Sequence, residues 1–147
     1  SLGLDALAAA EAAALRDIAL TNAAASRSAV TPAEGNRHAL AAADLVLAAG
    51  GTIEVAAAIA AHHERLDGSG QPAGLSAADL GPLDRVVALV DVLAAMTHRE
   101  TAVGLPIGEA FRALRMAVAG RFDGRAVLAL AGLIADGTLG LTRSNDA

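Results

Sequence analysis

A chain that must pack itself almost without aromatic rings has few architectures open to it. Phe111 and Phe122 are the whole aromatic complement of 147 residues, yet 54% of the chain is hydrophobic. The load falls on Ala, Leu, Val and Ile. Alanine buries little area, and burial is worth roughly 25 cal/mol per Å². Such a core gains its contacts from close approach of backbones, which helices carrying small residues permit. Ala and Leu are also strong helix formers. No stretch alternates apolar and polar residues like a half-buried strand. The expected fold class is all-α, a single helical bundle of about five to seven helices.

Punctuation residues divide the chain into those helices. The first is expected from about Leu4 to Asn22, with apolar points at Leu4, Leu7, Leu15 and Ile18. Thr31-Pro32-Ala33-Glu34 combines a cap, a first-turn proline and a capping-box glutamate. That helix carries His38 and ends at Gly50-Gly51. Thr52 caps the next, expected from Ile53 to about His63. A glycine-rich loop follows to about Leu75, then a cap at Ser76 with Asp79. Pro82 opens a nearly all-apolar helix through Met96, which should be central. Pro106 opens another through Phe111, Leu114 and Met116, and Asp123 starts the last. The domain is expected over residues 1–137, with 138–147 as a tail.

Composition removes several functions. The formal charge of −5 argues against a binder of nucleic-acid polymers, which needs a basic patch. There is no cysteine, hence no thiolate metal site. Every basic residue other than histidine is arginine, so chemistry needing a lysine amine is barred. No apolar run reaches the roughly 18 residues of a membrane span, and no secretory signal is evident. A cytoplasmic location, with no membrane partner, is expected. The chain does not begin with methionine and reads as a piece of a longer protein, with further domains or a protein partner expected. Alanine-rich helix faces also favour a homodimer.

Chemistry concentrates in His62-His63-Glu64-Arg65-Leu66-Asp67-Gly68-Ser69-Gly70-Gln71-Pro72. Helical neighbours point ~100° apart, so His62 and His63 cannot form an i, i+4 clamp. They can serve two adjacent metals, or one metal and a substrate oxygen. A histidine pair at a helix end is commonly a solvated cap; the carboxylates and glycines that follow reverse that preference. Imidazoles with added carboxylates suit Fe, Mn or Zn. Asp91 lies between Val90 and Val92, where a bare carboxylate is costly unless paired or bound to a metal. An arginine partner or a cap would satisfy it equally. His38 is half-buried filler unless it faces His62. His98, at a helix end, reads as structural.

Together these residues resemble the HD-GYP family, a branch of the HD metal-dependent phosphohydrolases. The family signature is His-His-Glu-x-x-Asp-Gly-x-Gly-Tyr-Pro, then Gly-Leu, then a helix bearing an Asp. This chain reads HHERLDGSGQPAGL and then LDRVVALVDVLAAMTHR. The similarity continues into Glu109-Ala110 and Gly120-Arg121-Phe122-Asp123 and covers most of residues 34 to 135. It implies two or three metals, often iron or manganese, and hydrolysis of cyclic di-GMP. His38, His62, His63 and Asp91 are the implied ligands. Asp17, Glu64 and Asp67 are the implied catalytic carboxylates. Gly68, Gly70, Gln71 and Arg99 stand at the implied substrate contacts, and Arg16 is expected beside them as a phosphate-holding group.

The departures bear on activity. The family's first motif is His-Asp followed by Gly-Lys; its best counterpart is Leu15-Arg16-Asp17-Ile18-Ala19-Leu20. Asp17 then stands for the bridging carboxylate, and Arg16 replaces a histidine. Arginine cannot ligate a metal, although it can pair with Asp17 or Asp91, or hold a phosphate. The family tyrosine is Gln71, and its Pro-Tyr after arginine is Glu100-Thr101 after Arg99. The expected function is a degenerate HD-GYP-like domain in bacterial signalling, with weak or no phosphohydrolase activity. The alternative is an active metal-dependent phosphodiesterase on cyclic di-GMP or a related phosphoester.

Overall fold

The computed structural model describes residues 6–15, 32–97, 104–117 and 120–138. Six helices occupy them: α1 (Ala6–Leu15), α2 (Pro32–Ala48), α3 (Ile53–Ala60), α4 (Pro82–Thr97), α5 (Ile107–Ala117) and α6 (Gly124–Ala135). Among the described residues there is no strand, only an isolated bridge between Asp67 and Ser76. The all-α expectation holds. No described helix is long and apolar enough to cross a membrane.

Two apolar clusters meet along α4, which packs against α1, α3, α5 and α6. The first joins Ala12 of α1, Ala42, Ala43 and Val46 of α2, Val55, Ala56, Ala58 and Ile59 of α3, and Leu83 and Val87 of α4. Half of these are alanines, as the scarcity of large side chains requires. The second joins Leu89 and Leu93 of α4 to Ala110, Phe111 and Leu114 of α5 and to Ala126 and Leu130 of α6. Met116 does not join it: its side chain is 88% exposed, one position off the buried stripe of Ala110, Phe111 and Leu114.

Local chemistry sets the helix ends. The Thr52 hydroxyl accepts from Val55 N at 3.2 Å, the expected cap. A Cβ on Gly51 would lie 2.4 Å from Val46 Cγ1 and 2.9 Å from Val46 O, so any larger residue there would force the turn to shift. The Ser76–Asp79 pair forms as expected, with Asp79 Oδ2 accepting from Ser76 N at 3.0 Å and Oγ at 2.7 Å. It closes a turn before α4 rather than opening a helix.

Asp123 caps α6, its Oδ1 accepting from Arg125 N at 2.8 Å. Its Oδ2 accepts from Arg85 Nη1, also at 2.8 Å. Arg85 further donates to Leu80 O at 2.9 Å and Ala77 O at 2.6 Å, so one guanidinium ties α4, the preceding turn and α6. The Arg85 hydrogen bond holds the Asp123 carboxyl below its ordinary value of 3.8. A depressed folded-state pKa stabilises fully above the unfolded value and is lost as pH falls through the folded one. Arg85→Met should therefore cost about 1–3 kcal/mol near neutrality. That penalty should shrink at pH 3, as urea titrations at the two pH values would show.

Candidate metal centre

The small residues of the first cluster place the site. Ala39 and Ala42 on α2 are fully buried, as is Ala58 on α3. With no bulk between the helices, an imidazole on α2 reaches the end of α3. His38 Nε2 and His62 Nε2 lie 3.1 Å apart. The His62 and His63 ring centroids are 3.9 Å apart, and His38 lies 5.1 Å from His62 and 5.0 Å from His63. One nitrogen from each of the three rings falls within a 4.8 Å group.

α3 ends at Ala60, not at His63 as expected. The last turn tightens, with His62 N donating to Ile59 O and Glu64 N to Ala61 O at 2.8 Å, an i to i−3 pattern. The helical spacing that would splay His62 from His63 is lost, and both rings join one group. No periodicity in the sequence signals that tightening.

The donor set suits a divalent cation. His62 is fully buried, and its Nδ1 donates to Ile59 O at 2.6 Å. That bond fixes the proton on Nδ1 and turns the Nε2 lone pair toward His38, the backbone-oriented tautomer of metal-binding histidines. His63 is held neutral, its pKa pushed down to about 4, first by burial and then by His62, with Asp91 opposing. Asp91 lies 3.8 Å from His63 Nδ1, its side chain 13% exposed. α4 thus brings this carboxylate to the imidazoles.

The remaining motif residues build a loop beside this group. Glu64, expected as a catalytic carboxylate, is 1% exposed. Its Oε1 accepts from Ala73 N at 2.7 Å and its Oε2 from Leu75 N at 3.0 Å. Both oxygens thus accept from the loop backbone, and in this geometry Glu64 holds the loop in place. Asp67, also expected as catalytic, is exposed and accepts from Ser69 N and Oγ at 3.0 and 2.6 Å. Those bonds hold its pKa low. Arg121 Nε lies 3.5 Å from it.

Gly68 takes a positive φ of 75°, and Gly70 lies against the Glu64 backbone. Internal geometry therefore accounts for both glycines. Gln71 N donates to His63 O at 3.2 Å, fastening the loop to the imidazole group, while the Gln71 side chain is exposed. A Cβ on Gly70 would lie 2.3 Å from Glu64 Cα, and backbone cannot yield as a flexible side chain can. Gly70→Ala should cost about 1–3 kcal/mol, read by thermal or urea unfolding.

Arg65 had no assigned role in the sequence. Its Nη1 donates to His62 O at 3.2 Å and Glu64 O at 2.7 Å, and the guanidinium sits 4.9 Å from the Phe122 ring centroid. Arg121 O accepts from Leu66 N at 3.0 Å, and Arg121 Nη2 donates to Ser69 Oγ at 2.9 Å. An arginine inside the motif and a Gly-Arg-Phe-Asp run were visible, but not what they touch. Arg16, Asp17, His98 and Arg99 lie outside the described residues.

A family model described as an HD domain matches residues 8–126. This chain belongs to the HD-domain family. Over 64 residues, 42% of the chain, this HD domain is 41% identical to the 3'3'-cGAMP-specific phosphodiesterase 1 of Vibrio cholerae serotype O1 (strain ATCC 39315 / El Tor Inaba N16961). The matched stretch spans 15% of that protein's length.

Proposed function

We infer that this HD domain binds a divalent metal and takes a cyclic dinucleotide, within a signalling protein, with hydrolysis slowed by its altered first motif. The convergence of His38, His62 and His63 beside Asp91 carries the reading. The relative's printed substrate supports the ligand class.

His38, His62, His63 and Asp91 would hold the cation, with Fe, Mn or Zn compatible with the donors. A bound cation would supply charge neutralisation at phosphoryl oxygens and activation of water. The protein's part is orientation. The Ile59 carbonyl holds the His62 ring, Asp91 faces His63, and Glu64 keeps the loop folded. Arg16 and Arg99 are proposed to hold phosphate, for which a guanidinium fork is suited. Asp17 is proposed as the surviving carboxylate of the first motif. Arg16, in the histidine's place, removes a donor and adds a positive charge, which favours ligand retention over turnover.

The test is anaerobic reconstitution with manganese or ferrous iron, then incubation with 3'3'-cGAMP and with cyclic di-GMP. Calorimetric binding and slow linearisation are expected, with faster turnover in Arg16→His. Binding without cleavage would make the domain a receptor. Absence of both binding and turnover would refute the reading.

A further inference from the structure

α6 is apolar on two sides, though only one faces the core. Ala126 and Leu130 are buried, with Val127, Ala131 and Ile134 packed beside them. The opposite face presents Arg125, Leu128, Ala129, Gly132, Leu133 and Asp136, all exposed. Their spacing follows one continuous helical stripe. Leu128 is 73% exposed and Leu133 41%. Between the terminal Arg125 and Asp136 the stripe carries no charge.

One feature is costly for an isolated helix. Gly132 lies within α6, where glycine is disfavoured relative to alanine. A Cβ there would meet nothing within 4 Å, so the domain's own packing does not require it. The stripe also ends in opposite charges. Arg125 lies 3.6 Å through its Nε from the N-cap Asp123, with its side chain still 71% exposed, and the exposed C-cap Asp136 accepts from Thr138 N at 2.9 Å.

The gap at Gly132 and the ends of opposite charge fit a second α6 running antiparallel across this face. We propose that two copies of the chain associate through α6 about a twofold axis that passes between Ala129 and Gly132 on the exposed face. Antiparallel register then sets Leu128 against Leu133 of the second copy and Ala129 against its Gly132. Arg125 meets Asp136 of the second copy. The missing side chain at Gly132 allows the backbones to approach. Each arginine comes beside the partner helix's negative C-terminal end, and each aspartate beside a positive N-terminal end. An isologous contact of this kind closes on itself as a dimer. A single helix pair is a small interface, so the association belongs to the weak, concentration-dependent class.

Sedimentation velocity of the full chain across a concentration series tests the proposal. A reversible monomer–dimer equilibrium is expected. Leu128→Glu should raise the dissociation constant at least about tenfold. Gly132→Leu should do the same while leaving the monomer folded and raising its melting temperature, since the added side chain meets open space and favours helix. Arg125→Glu should weaken the dimer, and adding Asp136→Arg should restore it. A monomer at about millimolar concentration would overturn the proposal. So would a dimer indifferent to Leu128→Glu and Gly132→Leu.

Discussion

His62→Ala should abolish stabilisation of this protein by divalent metal. In the wild-type chain, manganese or zinc at a hundredfold excess over its dissociation constant should raise the unfolding free energy by about 2.7 kcal/mol, the linkage for one site. His62 is the residue of the group best placed to be the central donor. It is fully buried, its Nε2 is 3.1 Å from that of His38, and its other nitrogen is anchored to Ile59 O. Losing even a group that orients a ligand costs about 10–100-fold in affinity, and losing the donor itself should cost more. Removal of the buried ring should also lower metal-free stability by about 2–4 kcal/mol. The two effects separate by measuring each variant with and without metal. A metal-dependent shift that survives in His62→Ala would mean that the three imidazoles are a packing feature. Loss of stability alone would not support the centre.

Glu64→Gln should be nearly as damaging, although it keeps the size and shape of the side chain. Glu64 is almost wholly buried, and each oxygen accepts one backbone N–H from the glycine-rich loop. Hydrogen bonds to a charged group contribute roughly 1.5–3 kcal/mol each. The amide retains one acceptor and turns a donor toward the other N–H, so about 2–3 kcal/mol should be lost, and more in Glu64→Ala. Amide exchange gives the discriminating readout. Protection at Ala73 and Leu75 should fall well before that of α3 or α4. Unchanged protection at those two amides would show that the loop holds without the carboxylate. Gln71 N bonds His63 O, so loosening this loop should also disturb metal binding.

Much of this was legible in the residues. The all-α class followed from alanine load, absent strand alternation and paired caps. The Thr52 cap lies where its side chain can reach a free N–H at a fixed spacing. The His62–Gly70 run was conspicuous because its residue types suit no ordinary packing role. Roles inside that run were harder to read. Glu64 and Asp67 were expected as catalytic groups because the family resemblance implied it. Glu64 accepts from the amides of Ala73 and Leu75, and hydrogen bonds between a side chain and a distant amide leave no trace in spacing. The same holds for Arg85, whose partner Asp123 lies far along the chain.

Residue types and local spacing alone determined a helical bundle, its caps and the presence of metal-capable side chains. These depend on interactions within about one helical turn, which a sequence records directly. Only the tertiary structure decided that His38 meets His62 across two alanine-lined helices, that a tightened turn draws His62 and His63 together, and that Asp91 faces them. Those outcomes depend on how closely backbones approach and where a helix stops, and both are set by packing between segments that no local pattern connects.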